Sequence, residues 1–137
     1  MKQNISFLGS VNSIEISFDK TLLIYACANS LTVLKLVGNF YSLFQSLSTS
    51  ANIQDLKISE DKSTLVMGTA DGLIQIYKLE ASGTHVLQQT INDTNLSIDN
   101  LQISSNNSLI ISTSKDGNLR IYQKQVNNSY AKIQILL

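Results

Sequence analysis

The chain has 137 residues, and its 10 basic and 10 acidic side chains cancel to a formal net charge of zero at pH 7. This length fits one domain that buries about two-thirds of the surface of its unfolded chain. With only 15% charged residues, the sequence lacks the basic patches that bind nucleic acids or membrane surfaces, so neither is expected as a partner.

The single cysteine, Cys27, cannot form an internal disulfide, which predicts a reducing, cytoplasmic location. The longest apolar run, residues 22–28, is far too short to cross a bilayer. Residues 1–6 lack the apolar core of a secretory leader and the arginines of a mitochondrial one, so no leader is expected.

Along the chain, the clearest secondary-structure pattern is that of β-strands. Residues 14–17, 56–59 and 101–104 alternate apolar and polar side chains, which is the period of a half-buried strand. Residues 39–47 are the one segment that also fits a helix, because apolar side chains stand at positions 40, 43, 44 and 47. The repeat described next favours a strand there, and the helix is the alternative.

The sequence repeats itself three times. Residues 11–17, 53–59 and 98–104 align with one another, so that Ile16 and Ile58 are 42 positions apart and Ile58 and Ile103 are 45 apart. Each unit continues with a polar turn, an apolar strand, a second turn and two further strands. We therefore predict four antiparallel strands in each of three units, at about residues 10–48, 52–92 and 97–137.

The second turn of each unit joins two apolar runs. It contains Asp71-Gly72 in the second unit and Asp116-Gly117 in the third, and Asn29-Ser30 takes this place in the first. Asp-Gly between strands is a strong hairpin signal, since glycine accepts the positive φ of a tight turn. An Asp in such a turn usually bonds its own backbone, so a structural role is predicted for Asp71 and Asp116 rather than a catalytic one.

Units of 40 to 45 residues with four short strands are typical of propeller blades. Residues 68–77 and 112–122, with a Ser/Thr strand, an Asp-Gly turn and a closing aromatic residue, resemble the WD-repeat β-propeller family. Tyr77 and Tyr122 stand where that family usually has tryptophan. No Gly-His pair precedes a first strand, because the only histidine is His85. The Ser-His-Asp-Trp network that the family resemblance would imply cannot form.

The resemblance implies an all-β partial propeller and a scaffold role in protein-protein interaction. In the family, residues near the start of the first strand commonly line the partner-binding face. Asn12, Gln54 and Asp99 occupy this place in the three units and are the candidate rim; their alternative role is as ordinary exposed polar residues.

Three blades are fewer than the four to eight of a closed propeller. Residues 5–8 stand where the outer strand of a preceding blade would lie. We therefore expect the chain to complete its ring, as a fragment of a larger propeller, with a second copy, or with a protein partner that supplies the missing blades.

No catalytic, metal or cofactor site is predicted. Cys27 and His85 are 58 positions apart, no His/Cys cluster has the spacing of metal ligands, and no glycine-rich phosphate loop is present. Two other binding functions stay open. One is a propeller that recognises a short or modified peptide tail, for which only Asp99 and Asp55 offer acidic groups. The other is an oligomeric propeller that binds carbohydrate or another small ligand.

Overall fold

A computed structural model gives the fold of residue 4 and of residues 9–137. Within these residues every regular element is a β-strand, and the strands form three antiparallel sheets of four strands each. The predicted all-β fold of blade-like units is therefore confirmed. Residues 5–8, the predicted strand of a preceding blade, lie outside the described residues. None of the described residues belongs to a helix long and apolar enough to span a membrane.

Each sheet is a meander in which consecutive strands are neighbours. Blade 1 contains β1 (Val11–Ile16), β2 (Leu22–Cys27), β3 (Ser30–Val37) and β4 (Phe40–Ser48). Blade 2 contains β5 (Ile53–Ile58), β6 (Thr64–Thr69), β7 (Ile74–Leu79) and β8 (His85–Ile91). Blade 3 contains β9 (Ile98–Ile103), β10 (Leu109–Ser114), β11 (Leu119–Lys124) and β12 (Tyr130–Leu136).

The helix alternative for residues 39–47 is wrong, because this segment forms strand β4. The strand contains a β-bulge at Phe44: Val33 pairs with Gln45, while the following residue, Leu34, pairs with Leu43. A bulge adds one residue and shifts the alternation of side chains between the two faces. The shift produces the apolar spacing that imitates a helical face.

Blades 1 and 2 pack against each other through an apolar layer. Blade 1 supplies Leu22, Ile24, Ala26, Leu31 and Val33, and blade 2 supplies Ile53, Leu56, Leu65, Met67 and Tyr77. The face that a blade turns toward the following blade is termed its trailing face, and the face toward the preceding blade its leading face. Each fully buried aliphatic side chain in such a layer stabilises the fold by about 1.5–3 kcal/mol.

A second apolar layer joins blades 2 and 3. The trailing face of blade 2 supplies Val66, Ile74 and Ile76, and the leading face of blade 3 supplies Ile98, Leu101, Ile110 and Tyr122. The two tyrosines at the closing aromatic position are therefore core residues, since Tyr77 and Tyr122 are both buried in the layers between blades. The hydroxyl of Tyr122 donates a hydrogen bond to Asp93 at 3.0 Å.

Candidate functional site

The three candidate rim residues occupy the same point in the first strand of each blade. Asn12 is the extra residue of a β-bulge in β1, and Gln54 and Asp99 are the extra residues of equivalent bulges in β5 and β9. All three are exposed. Because the first strands of neighbouring blades contact one another, these bulges place a row of polar side chains on one rim of the molecule.

Asp55, beside this rim, links all three blades. Its Oδ2 accepts a hydrogen bond from the backbone N–H of Leu101 in blade 3 at 2.8 Å, and its Oδ1 accepts one from the Ser13 hydroxyl of blade 1 at 3.2 Å. The backbone N–H of Leu56 donates to the same Oδ1 at 3.0 Å. Both carboxylate oxygens are thus engaged within the fold, which leaves Asp99 as the exposed acidic group of the rim. Sequence analysis did not identify this role.

The aspartates of both Asp-Gly turns bond groups within their own turns. Asp71 accepts a hydrogen bond from the hydroxyl of Thr69, and Gly72 lies at a φ of 91°. In blade 3, Asp116 accepts from the backbone N–H of Asn118 at 3.0 Å, and Gly117 lies at a φ of 82°. The contacts of these carboxylates are those of turn-forming groups.

Arg120, the only arginine of the chain, closes the turn of blade 3. Its guanidinium donates to Asp116 Oδ2 at 2.5 Å and to Ser114 Oγ at 3.1 Å, and the residue is buried. The guanidinium, followed by the hydroxyl of Ser114, holds the pKa of Asp116 well below its usual range. Gln75 occupies the equivalent position in blade 2. Blade 3 therefore closes this turn with a Ser-Asp-Arg network.

The corresponding turn of blade 1 differs from the sequence analysis by one residue. The turn consists of Ala28 and Asn29, while Ser30 begins β3 and pairs with Cys27. The blade 2 and blade 3 turns each have four residues between the strands, so this hairpin is two residues shorter. The shorter loop moves the positive φ onto Ala28, at 53°.

The turns between the first and second strands connect successive blades. Lys62 of blade 2 donates from Nζ to Asp19 Oδ2 at 2.5 Å and to Thr21 Oγ1 at 3.0 Å in blade 1. This ammonium group is the main cause that lowers the pKa of Asp19. At the next joint, Asn107 donates from Nδ2 to both carboxylate oxygens of Asp61 at 3.0 Å. We term this repeated contact the turn clasp.

A glutamine forms a second contact at each joint, on the outer strands. The side chain of Gln45 accepts from the backbone N–H of His85 at 2.8 Å and donates to its carbonyl oxygen at 2.7 Å. Gln89 makes the same pair of bonds to the backbone of Tyr130, both at 2.8 Å. The recurrence of glutamine at positions 45, 89 and 134 is a sequence signal that could have identified this contact.

Within each blade, the start of the outer strand is tied to the first turn. The hydroxyl of Tyr41 donates to the carbonyl of Lys20 at 2.7 Å, and that of Tyr130 donates to the carbonyl of Asn107 at 2.6 Å. In blade 2 the place of the tyrosine is taken by His85. The sole histidine of the chain is therefore a structural residue, and Cys27 lies in a different blade.

Repeat-equivalent positions show how the two ends of the stack differ from its interior. Ile53 and Ile98 are 0% and 1% exposed on the leading faces of blades 2 and 3, but their equivalent in blade 1, Val11, is 38% exposed. Leu56 is likewise 0% exposed, whereas Ile14 is 61% exposed. The leading face of blade 1 is therefore an apolar surface that no described blade covers.

The trailing face of blade 3 is open in the same way. Ile111 and Ile121 are half-buried, whereas the equivalents of Ile121 in blades 1 and 2, Val33 and Ile76, are buried. Leu119 is half-buried too. Both ends thus present side chains that form the apolar layers inside the stack, which is typical of surfaces that bind another protein.

The first strands also border an apolar groove of about 380 Å³ at the end opposite the rim, lined by Ile16, Phe18, Ile58 and Ile103 together with polar residues. Phe18 is 77% exposed. Across the part of the chain that the structure describes, no group of three or more His, Cys, Asp or Glu side chains has the arrangement of a metal site.

Comparison with known proteins agrees with this architecture. The family model "WD domain, G-beta repeat" matches residues 85–123. The match runs from β8 to β11 and so crosses the joint between blades 2 and 3. A comparison with curated protein sequences gives no significant match.

Several solved structures share the fold. The chain is similar to the WD40 repeats of RRP9 and to U3-55K, each with a TM-score of 0.79 and 18% identity over 96% of this chain and 40% of the other. It is also similar to Sqt1 of Saccharomyces cerevisiae, with a TM-score of 0.80 and 13% identity over 93% of this chain and 35% of that one. The chain spans about two-fifths of the length of these proteins. The described residues therefore form three consecutive four-stranded blades with the fold of these WD40 propellers, and residues 85–123 match the WD-repeat family model.

Proposed function

We propose that this protein is a non-catalytic scaffold for protein-protein interaction, and that its two open end faces are its principal binding surfaces. The proposal goes beyond the fold, because a propeller by itself does not dictate a function. The proposal depends on the end faces of this chain and not on the partners of the WD40 proteins that share its fold.

The observation that carries the proposal is the exposure of layer-forming side chains at both ends. Ile14 on the leading face of blade 1 and Ile121 on the trailing face of blade 3 occupy positions that are buried where a neighbouring blade is present. A blade stacked on either face would bury this apolar area, and burial of such area is the main favourable term in protein association.

The test compares two Asp substitutions in a tagged chain expressed in cells. Ile121→Asp places a charge on the open trailing face, and the matched control Val126→Asp places one in the β11–β12 turn, where the residue is fully exposed. Native size is measured in the lysate by size-exclusion chromatography. We expect the wild type and Val126→Asp to elute in an assembly larger than the 15.1 kDa chain. We expect Ile121→Asp, which loses only the partner of the trailing face, to elute as a smaller folded species. A folded wild-type monomer would contradict the proposal.

A second candidate function, recognition of a short peptide, is favoured by one observation. The bulges place Asn12, Gln54 and Asp99 side by side on an exposed rim. Asp55 is engaged within the fold, and Asn12 donates from Nδ2 to the carbonyl oxygen of Ile53 at 3.2 Å. The rim therefore offers mainly the Asp99 carboxylate and the Gln54 amide, and we expect it to suit a polar, uncharged or singly basic segment. If the rim binds partners, Gln54→Ala combined with Asp99→Ala will reduce binding in the same lysate assay without lowering the melting temperature.

A further inference from the structure

The two open ends are the two halves of a joint that the chain already makes twice. The trailing face of blade 1 meets the leading face of blade 2, and the same pair of faces meets between blades 2 and 3. The trailing face of blade 3 and the leading face of blade 1 are the remaining members of this series. A joint between these two open faces would repeat the geometry of the two internal joints, and it would therefore bring apolar side chains at equivalent positions into contact.

The apolar parts of the two ends correspond residue by residue to the internal joints. At the joint between blades 2 and 3, Ile76 belongs to the same buried layer as Ile98 and Leu101. Their equivalents at the open ends are Ile121 on blade 3 and Val11 and Ile14 on blade 1, as the strand pairing shows. The end faces therefore have the side chains for a third layer of this kind.

The polar parts correspond through the turn clasp. Lys20 is the blade 1 equivalent of Lys62, it is exposed, and it forms no ion pair with any residue that the structure describes. On blade 3, Asn106 stands in the place of Asp19, and Ser108 in the place of Thr21, whose hydroxyl accepts from Lys62. Asn106 uses Oδ1 within its own turn, with bonds from Ser104 and Ser108. A Lys20 from outside would thus find a hydroxyl acceptor but no carboxylate.

We propose that the occupant of each open face is a second copy of this chain. Two copies related by a two-fold axis join the trailing face of each to the leading face of the other, and both joints close a ring of six blades. Six lies within the range of closed propellers. This inference rests on the proposed function, since it names the partner of the open end faces.

At both new joints the side chain of Gln134 lies at the position of Gln45 and Gln89 in the pairing of the outer strands. It is exposed and donates or accepts no hydrogen bond within the described part of the chain. In the ring it faces the start of the outer strand of the next blade, as its two equivalents do. The ring thus uses the apolar layer and the outer-strand glutamine together, with a Lys20 contact to the Ser108 hydroxyl in place of the full turn clasp.

The first experiment is sedimentation equilibrium of the purified full chain over a range of concentrations. We expect a discrete species of twice the 15.1 kDa chain mass, and we expect Ile121→Asp to abolish it while Val126→Asp does not. A folded monomer at every concentration would overturn the second copy as the partner. If the same chain still enters an Ile121-dependent assembly in cells, the proposed scaffold function stands and only this inference fails.

The second experiment adds the missing carboxylate. Asn106→Asp recreates the Asp19 arrangement, with Lys20 of the other copy in the role of Lys62. Because the ring contains two such joints, we expect the dissociation constant of the dimer to fall about four- to twenty-five-fold, which is about two- to fivefold for each exposed ion pair, and the gain to shrink at high salt. Lys20→Met in the same chain should cancel the gain. A dimer whose affinity is the same in wild type and Asn106→Asp would overturn the proposed arrangement, because its two copies would meet elsewhere.

Discussion

His85 donates a hydrogen bond from Nε2 to the carbonyl oxygen of Lys62 at 2.8 Å. The direction of the bond follows from the partner, because a carbonyl oxygen can only accept. His85 is 1% exposed, and its Nδ1 is buried without a hydrogen-bond partner. The bond is satisfied by the neutral ring with its proton on Nε2, so protonation of Nδ1 would bury a positive charge whose new N–H has no acceptor.

Burial, only partly offset by the bond to Lys62, lowers the pKa of His85 from its ordinary value of 6.5. The unfolded state therefore binds more protons than the folded state between the folded pKa and 6.5, and stability rises with pH through this window. We expect the free energy of unfolding to be highest above about pH 6.5 and to fall as the pH is lowered below it. Urea denaturation between about pH 5 and 8 measures the slope.

His85→Gln is the control for this prediction, since a glutamine side chain keeps an N–H donor of similar reach and does not titrate. Its unfolding free energy should vary less between about pH 5 and 7 than that of the wild type. Parallel profiles for the two proteins would assign the pH dependence to other groups.

Asp55 provides a second prediction. Asp55→Ala removes the acceptor of the Leu101 N–H and of the Ser13 hydroxyl, and we expect it to lower the unfolding free energy by about 1–3 kcal/mol, the cost of leaving a buried donor unsatisfied. Asp99→Ala, on the exposed rim, is the matched control and should stay within about 0.5 kcal/mol of the wild type. Equal losses in chemical denaturation would refute the linking role of Asp55.

The two Asp-Gly turns should respond differently to the same change. A Cβ on Gly117 meets no atom within 4 Å, so Gly117→Ala carries only the cost of its positive φ, about 1–2 kcal/mol. A Cβ on Gly72 would also collide with the backbone oxygens of Thr94 and Leu96, the latter at 2.9 Å. Thermal unfolding should therefore show a larger loss for Gly72→Ala, and a smaller one would contradict the packing of residues 94–96 on this turn.

The shortened turn of blade 1 predicts a stabilising substitution. Ala28 holds a φ of 53°, which is unfavourable for a residue with a Cβ, and Ala28→Gly relieves it. After the entropy that glycine adds to the unfolded chain, the net gain should be about 0.5 kcal/mol. Ala70→Gly, in the blade 2 turn but without positive φ, should instead lose about 0.5–1 kcal/mol. The two melting temperatures should shift in opposite directions.

The sequence was sufficient to predict the three units, because apolar alternation and Asp-Gly turns are local signals that repeat. Prediction from the sequence was least accurate where a bulge adds residues to a strand or where a turn is shorter than in the other blades. The bulge at Phe44 imitated a helical spacing, and the short Ala28-Asn29 turn moved the hairpin by one position. Such changes depend on how the paired strand twists, which the spacing of residues along one strand does not express.

The contacts between blades were less accessible to sequence analysis. The bond between Gln45 and His85 joins residues 40 positions apart, and Asp55 reaches Leu101 across 46. The polar alternation of a strand does not indicate which exposed side chains turn toward a neighbouring blade. The recurrence of glutamine and of Asp or Asn can be seen in the sequence. That these residues bond the neighbouring blade can be inferred only once the stacking of the blades is known.

Several contacts within and between the blades have main-chain atoms as one partner. The carbonyl oxygen of Lys62 accepts a hydrogen bond from His85, where the equivalent carbonyls of the other blades accept one from a tyrosine hydroxyl. The side chain of Gln45 bonds the backbone N–H and carbonyl of residue 85, so this contact does not depend on the side chain at that position. A hydrogen bond to main-chain atoms can form whichever side chain that residue carries. Blades built in this way can differ in sequence at these points and keep the same spacing, which is consistent with a fold shared with propellers that are 13–18% identical to this chain.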